Sequence, residues 1–241
     1  MKKIISIVLA LIFAFCACGS TVLTPEEREA IFYEVAKEKG MLDNENPSPY
    51  ELSKSAYENI NVAYKIIRQI GDDMYEVWKA CIGEHDKVLS YGSDYLATKV
   101  SLSEEEIRIG LAMLRYGDAL NNMNQVQRQR HIDDADVWIF YFDNYENNMV
   151  AACVCSIVNA YFHNGKFEEA ETALDTAKEN LKILSADYSD YEHYLNLKGF
   201  FTTTRAYLDY CQNLEGPVKQ LIDYKEQAKE YIGKLDYYFE D

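Results

Sequence analysis

The sequence predicts an all-α protein, and three observations carry that prediction. Helix-start signatures recur along the chain, each a Ser or Thr with Glu three residues on. Between them, apolar residues return at steps of three and four, the spacing of one helix face. The four prolines of the 241 residues all fall at such a start or in the loop before one, where a missing N–H does least harm. The expected architecture is irregular stacked helical hairpins or a helical bundle, with one long heptad-patterned helix. Hydrophobic content is 48%, which excludes a disordered chain.

The first stretch reads as a signal peptide over residues 1–17. Lys2 and Lys3 precede an uncharged apolar run from Ile4 to Phe15, too short for the roughly 20 residues that a spanning helix needs. "FAFCACGS" then closes it. Cys18 has Ala17 before it and Gly19 after it, and this end resembles the signal of bacterial lipoproteins, in which a small residue precedes a cysteine that becomes lipidated. Phe15 and Cys16 depart from the usual pattern. The resemblance implies that Cys16 leaves with the signal and that Cys18 carries the lipid. It places the protein on the extracytoplasmic face of a cell membrane, anchored in membrane lipid, each buried methylene adding about 0.8 kcal/mol. An ordinary cleaved signal is the alternative. Residues 18–23 form a short linker, and 24–241 a single helical domain, with a long-helix part (24–130) and repeat-like hairpins (131–241).

Within the domain, Thr24-Pro25-Glu26-Glu27 opens the first helix and Ser48-Pro49-Tyr50-Glu51 the second. The second carries Ala56, Ile60, Ala63, Ile67, Ile70, Met74, Val77 and Cys81 in alternating steps of four and three. This is a heptad-like seam that demands a partner helix. Unbroken to Ser90, the helix would run on the order of 60 Å at 1.5 Å per residue, with Gly71 and Gly83 as the points where it bends or stops. Ser103 to Glu106 is a third capping box, with Leu102 and Ile107 placed as a hydrophobic staple. Asp133 to Asp136 suits an acidic helix N-terminus. "VWIFYF" (Val137 to Phe142) has strand-like composition but no partner strand, so a helix start or packed loop is expected, with the break at Asp143-Asn144. Ser189 to Glu192 is a fourth box, and Gly216-Pro217 a stop followed by a new start. The tail from Tyr237 to Asp241 either folds back or serves as an exposed contact.

Residues 151–184 stand apart. Ala160, Ala170, Ala173 and Ala177 recur where helices touch, and Ile157, Tyr161, Phe167 and Leu174 fill between them, around His163-Asn164-Gly165. With Tyr161, Gly165, Phe167, Ala170 and Ala177 at matching spacings, the stretch resembles one tetratricopeptide repeat. It departs from that pattern at Val154, Val158 and Ser185. The resemblance implies stacking on neighbouring hairpins, since one such unit cannot bury its own face. Ser189–Asn213 and Pro217–Tyr238 read as a further helical pair without matching spacings.

The residues offer little chemistry. The four histidines, His85, His131, His163 and His193, are scattered, and Cys153 and Cys155 point about 200° apart on a helix, a poor arrangement for joint ligation. No nucleophile elbow, phosphate loop or metalloprotease pattern occurs, so no metal, cofactor or enzymatic activity is expected. Beyond the signal lie Cys81, Cys153, Cys155 and Cys211. An even number permits disulfides, with three connectivities, but their apolar neighbours favour buried thiols. Net charge is −16, which argues against nucleic acid as a partner. Twenty tyrosines suit recognition of peptides or sugars, though half-buried packing explains most of them. The expected function is a non-enzymatic scaffold that binds a protein or peptide. A small-ligand-capturing lipoprotein associated with a transporter is the alternative.

Overall fold

The computed structural model describes residues 47–146, 148–214 and 216–239. The signal region, Cys18, the linker and the Thr24 cap lie outside them. Among the described residues the fold is all-α, with no strand. Contacts group Glu51–Asp241 as one unit.

The heptad seam forms α1, Pro49–Gly83. Every seam residue from Ala56 to Cys81 is buried. Tyr57, Tyr64 and Gly71 on one flank of the seam and Asp73 and Ala80 on the other are buried as well, so α1 is covered from more than one side. It runs to Gly83, not Ser90. Glu84 breaks the helix at φ −133°, ψ 35°, where it accepts hydrogen bonds from Lys87 (2.8 Å), Lys99 (2.9 Å) and the Tyr95 hydroxyl. Those donors hold its carboxyl down at about 2. Gly71 does not interrupt the helix. It makes room for the Tyr207 ring, which a Cβ there would overlap.

After the break comes α2, His85–Ala97, kinked at Gly92 with φ +55°. There the Asp136 carboxyl lies where a side chain would stand, 2.6 Å from an added Cβ. Then follows α3, Glu104–Tyr116, which starts on the expected capping box: Ser103 N–H donates to Glu106 (2.9 Å) and Glu106 N–H to Ser103 Oγ (3.3 Å). Leu102 and Ile107 are both buried beside it. A 3-10 turn, Gly117–Asn122, leads to α4, Gln125–Asp133, capped by Asn124. Asp133 and Asp134 therefore close α4 instead of opening a helix. Only Asp136 stands at a start, that of α5, Val137–Tyr141. The expected break at Asp143-Asn144 is absent, because a π-helical turn carries the chain from Phe142 to Glu146.

The repeat-like stretch is a helical hairpin, α6 (Met149–His163) and α7 (Lys166–Asp187). Its turn hinges on Gly165, at φ +78°, a conformation that β-carbons resist. All eight small and bulky residues singled out for its interior are buried. The last pair is α8 (Tyr194–Asn213) and α9 (Lys219–Phe239), with positive φ at Leu214 and at Gly216 between them. The fourth capping box does not form. Ser189, Asp190, Glu192 and His193 lie in turns, and α8 begins only after His193.

The core is built around α1. From α6, Tyr161 donates to Asp73 (2.6 Å); from α7, Asn180 donates to Ser55 (2.9 Å). Phe200 of α8 meets the rings of Tyr57 and Tyr64 at 6.2 and 5.8 Å. From α9, Lys225 pairs with Asp72 (2.6 Å), and Phe239 stacks on Tyr57 at 5.4 Å. Fully burying a side chain such as Ile60, Ile67 or Phe200 contributes roughly 1.5–3 kcal/mol each. That is what holds a long heptad helix in place without a coiled-coil partner.

Candidate functional site

Two surface features stand out: an aromatic ledge and an apolar cleft. The ledge is the "VWIFYF" stretch and the π-helical turn after it. With only five residues in α5 and five in the turn, the core takes one face and leaves the remaining rings outside. Ile139 is buried, while Phe140 is 54% and Tyr145 71% exposed. The rings form a connected series. Trp138 meets Tyr141 at 5.8 Å, and Tyr141 meets Tyr145 at 5.3 Å. Tyr116 joins from α3 at 6.2 Å from Trp138, itself 4.3 Å from His131 of α4. The Arg115 guanidinium lies 5.1 Å from the Trp138 ring, a favourable cation–π placement.

Two polar anchors fix the ledge to α2. Asp136 accepts from the backbone N–H (2.9 Å) and hydroxyl (3.0 Å) of Ser93, and the Arg108 guanidinium lies 3.4 Å from it. Asp143 pairs with His85 at 2.8 Å. That hydrogen bond raises the His85 pKa above its ordinary value. The turn's backbone is thus held from both ends while its rings face out. π-helical turns are uncommon and frequently mark functional positions.

The cleft, about 440 Å³, opens between the C-terminal half of α1, the first turns of α6 and the α8–α9 link. Met74, Trp78, Val154 and Leu221 give it an apolar lining, and among the described residues no acidic or basic side chain lines it. Its rim is unusual. Leu214 adopts φ +55°, a left-handed conformation rare for such a residue. Tyr210 Oη latches the link by donating to the Pro217 carbonyl (3.0 Å). Cys155 lines the wall, its thiol pKa raised by burial. It is therefore a poor nucleophile at neutral pH.

Other polar groups serve the fold. Asp73 is buried but accepts from Tyr161, from Ser101 N–H (2.9 Å) and from Gln69 (2.9 Å). Burial raises its pKa, and these donors oppose the rise. It ties α1 to α6 and to the loop before α3. The histidines stay apart: His85 pairs with Asp143, His131 packs on Tyr116, His163 lies 3.4 Å from Arg128, and His193 packs on Tyr238. Among the described residues, no group of three or more His, Cys, Asp or Glu is arranged to hold a metal ion. No described helix is long and apolar enough to cross a membrane.

Comparison with protein-family models, curated proteins and solved structures finds no match.

Of the residues the sequence singled out, Cys18 lies outside the described residues. Cys153 and Cys155 do point apart, Cys153 into the core and Cys155 into the cleft wall. The ledge and the cleft were not legible as sites. The signal for the ledge was present in its composition, a cluster of aromatics too dense for one buried face. The cleft had no local signal, because its walls come from three distant segments.

Proposed function

We propose that this is a lipid-anchored, extracytoplasmic binding protein without enzymatic activity, which engages a protein or peptide partner through the aromatic ledge. The observation that carries the reading is the run of exposed rings on α5 and the π-helical turn, pinned from beneath by Asp136 and Asp143. Rigid aromatic side chains lose little conformational freedom on binding and dominate protein-binding hot spots. Anchoring through Cys18 is the second half of the proposal and rests on the sequence of the signal region.

Photo-cross-linking from position 145 in native membranes tests the first half. A discrete adduct is expected, lost when Phe140→Ala and Tyr141→Ala are introduced together. A smear of abundant bystanders, unchanged in that variant, sinks the reading. For the anchor, metabolic labelling with a fatty acid is expected to mark the native chain and not the Cys18→Ala variant.

The cleft supports a second reading, capture of a small apolar ligand, since its volume falls in the range of ligand pockets. Native against denaturing mass spectrometry distinguishes it. A bound mass released on denaturation favours capture, and a clean apo mass favours the ledge.

A further inference from the structure

Independently of what the ledge or the cleft binds, the fold brings two thiols together. The bond from Tyr161 to Asp73 and the cleft that Trp78 shares with Val154 and Cys155 set α1 and α6 antiparallel and fix their register. Eight residues further along α1 and eight back along α6 stand Cys81 and Cys153. Both are free thiols in the structure, close enough for Cys81 to act on the Cys153 thiol, and they are 1% and 0% exposed. Cys155 is turned into the cleft wall, and Cys211 is buried in α8. Of the six pairs that these four cysteines could form, this register favours one.

We propose that Cys81 and Cys153 close into a disulfide that clamps α1 to α6. The oxidant is a small disulfide, RSSR. The thiolate of one cysteine attacks it, forming a mixed disulfide and releasing RS⁻. The second cysteine's thiolate then attacks the protein sulfur of that mixed disulfide and releases the other RS⁻. Two protein thiols become one S–S bond, RSSR becomes two RSH, and the two protons pass to the released thiolates. Once folded, the pair is a poor attacking group. The contact with Cys81 and burial push the Cys153 thiol well above its ordinary pKa. Exchange therefore belongs to the stage at which α6 docks on α1, before the sulfurs are covered. The same burial then keeps external thiolates from reaching the closed bond.

The test is oxidative refolding of the full chain from denaturant in oxidised and reduced glutathione, followed by acid quenching and peptide mapping without reductant. Mapping reads Cys16 and Cys18 separately. The expected product is a peptide pair joined through Cys81 and Cys153, about 2 Da below the sum of the reduced peptides, with Cys155 and Cys211 free or glutathionylated. Cys155→Ser with Cys211→Ser should give the same linkage, and unlike Cys81→Ser it leaves the core pair untouched. Free thiols or glutathione adducts at both Cys81 and Cys153 in folded protein would overturn the proposal. So would a map dominated by bonds to Cys155 or Cys211.

Discussion

At Gly110 the backbone of α3 approaches α6 so closely that an added Cβ would overlap the Ser156 carbonyl oxygen and crowd Ala160 N at 3.2 Å. A helix backbone cannot give way as a flexible side chain can. Gly110→Ala is therefore expected to destabilise the protein by about 1–3 kcal/mol, the range of overpacked cores, read as a lower urea midpoint at unchanged slope. The glycine itself carries no periodic signal, and the sequence offered no reason to single it out. Titration acts at the same scale. His85 is raised in the folded state by Asp143, so the stability it contributes is fully present below pH 6.5 and is lost as pH rises through the folded pKa. The pair is partly exposed, with His85 at 43% and Asp143 at 24%, and solvent screening keeps its contribution small. His85→Gln is expected to flatten this fall in the unfolding midpoint, measured thermally from pH 6 to 9; a slope equal to that of the native chain would rule His85 out as its source.

Individual helices show which sequence signals decide an end and which do not. Ser103 to Glu106 works as read, because its hydrogen bonds close within four residues. Ser103→Ala is expected to cost about 1 kcal/mol, measurable by chemical denaturation. Ser189 to Glu192 has the same pattern but opens no helix, since α8 starts past it at Tyr194. There the buried residues His193 and Tyr194 set the start, and packing of His193 on Tyr238, ring centroids 4.0 Å apart, outweighs a local cap. Glycines divide the same way. Gly165 needs its φ of +78° to turn the α6–α7 hairpin, whereas Gly83 has no such φ, and neither has a neighbour within 4 Å of an added Cβ. Gly165→Ala is expected to destabilise by roughly 1–2 kcal/mol, and Gly83→Ala to stabilise by about 0.4–1 kcal/mol. Equal effects in paired unfolding curves would show that backbone conformation is not what distinguishes them.

Over the whole molecule, the chain's last helix returns to α1. Phe239 is buried against Tyr57, while Tyr237, two residues earlier, is 86% exposed. In the described part of the tail one ring is therefore packed and another lies outside. Phe239→Ala is expected to cost about 3–5 kcal/mol, and Tyr237→Ala to stay within about 0.5 kcal/mol, compared by thermal unfolding. By itself the sequence determined the all-helical class, the seam of α1, the interior of the α6–α7 hairpin and the α3 cap. Each of these depends on residues a few positions apart, where helical geometry alone decides which side chains share a face. Tertiary structure alone decided that several helices, not one partner, cover α1. It also decided that Asp73 finds three donors, that Cys81 meets Cys153, and that the rings of α5 are left outside. Periodicity states that a face must be covered; only the packing of distant segments determines what covers it.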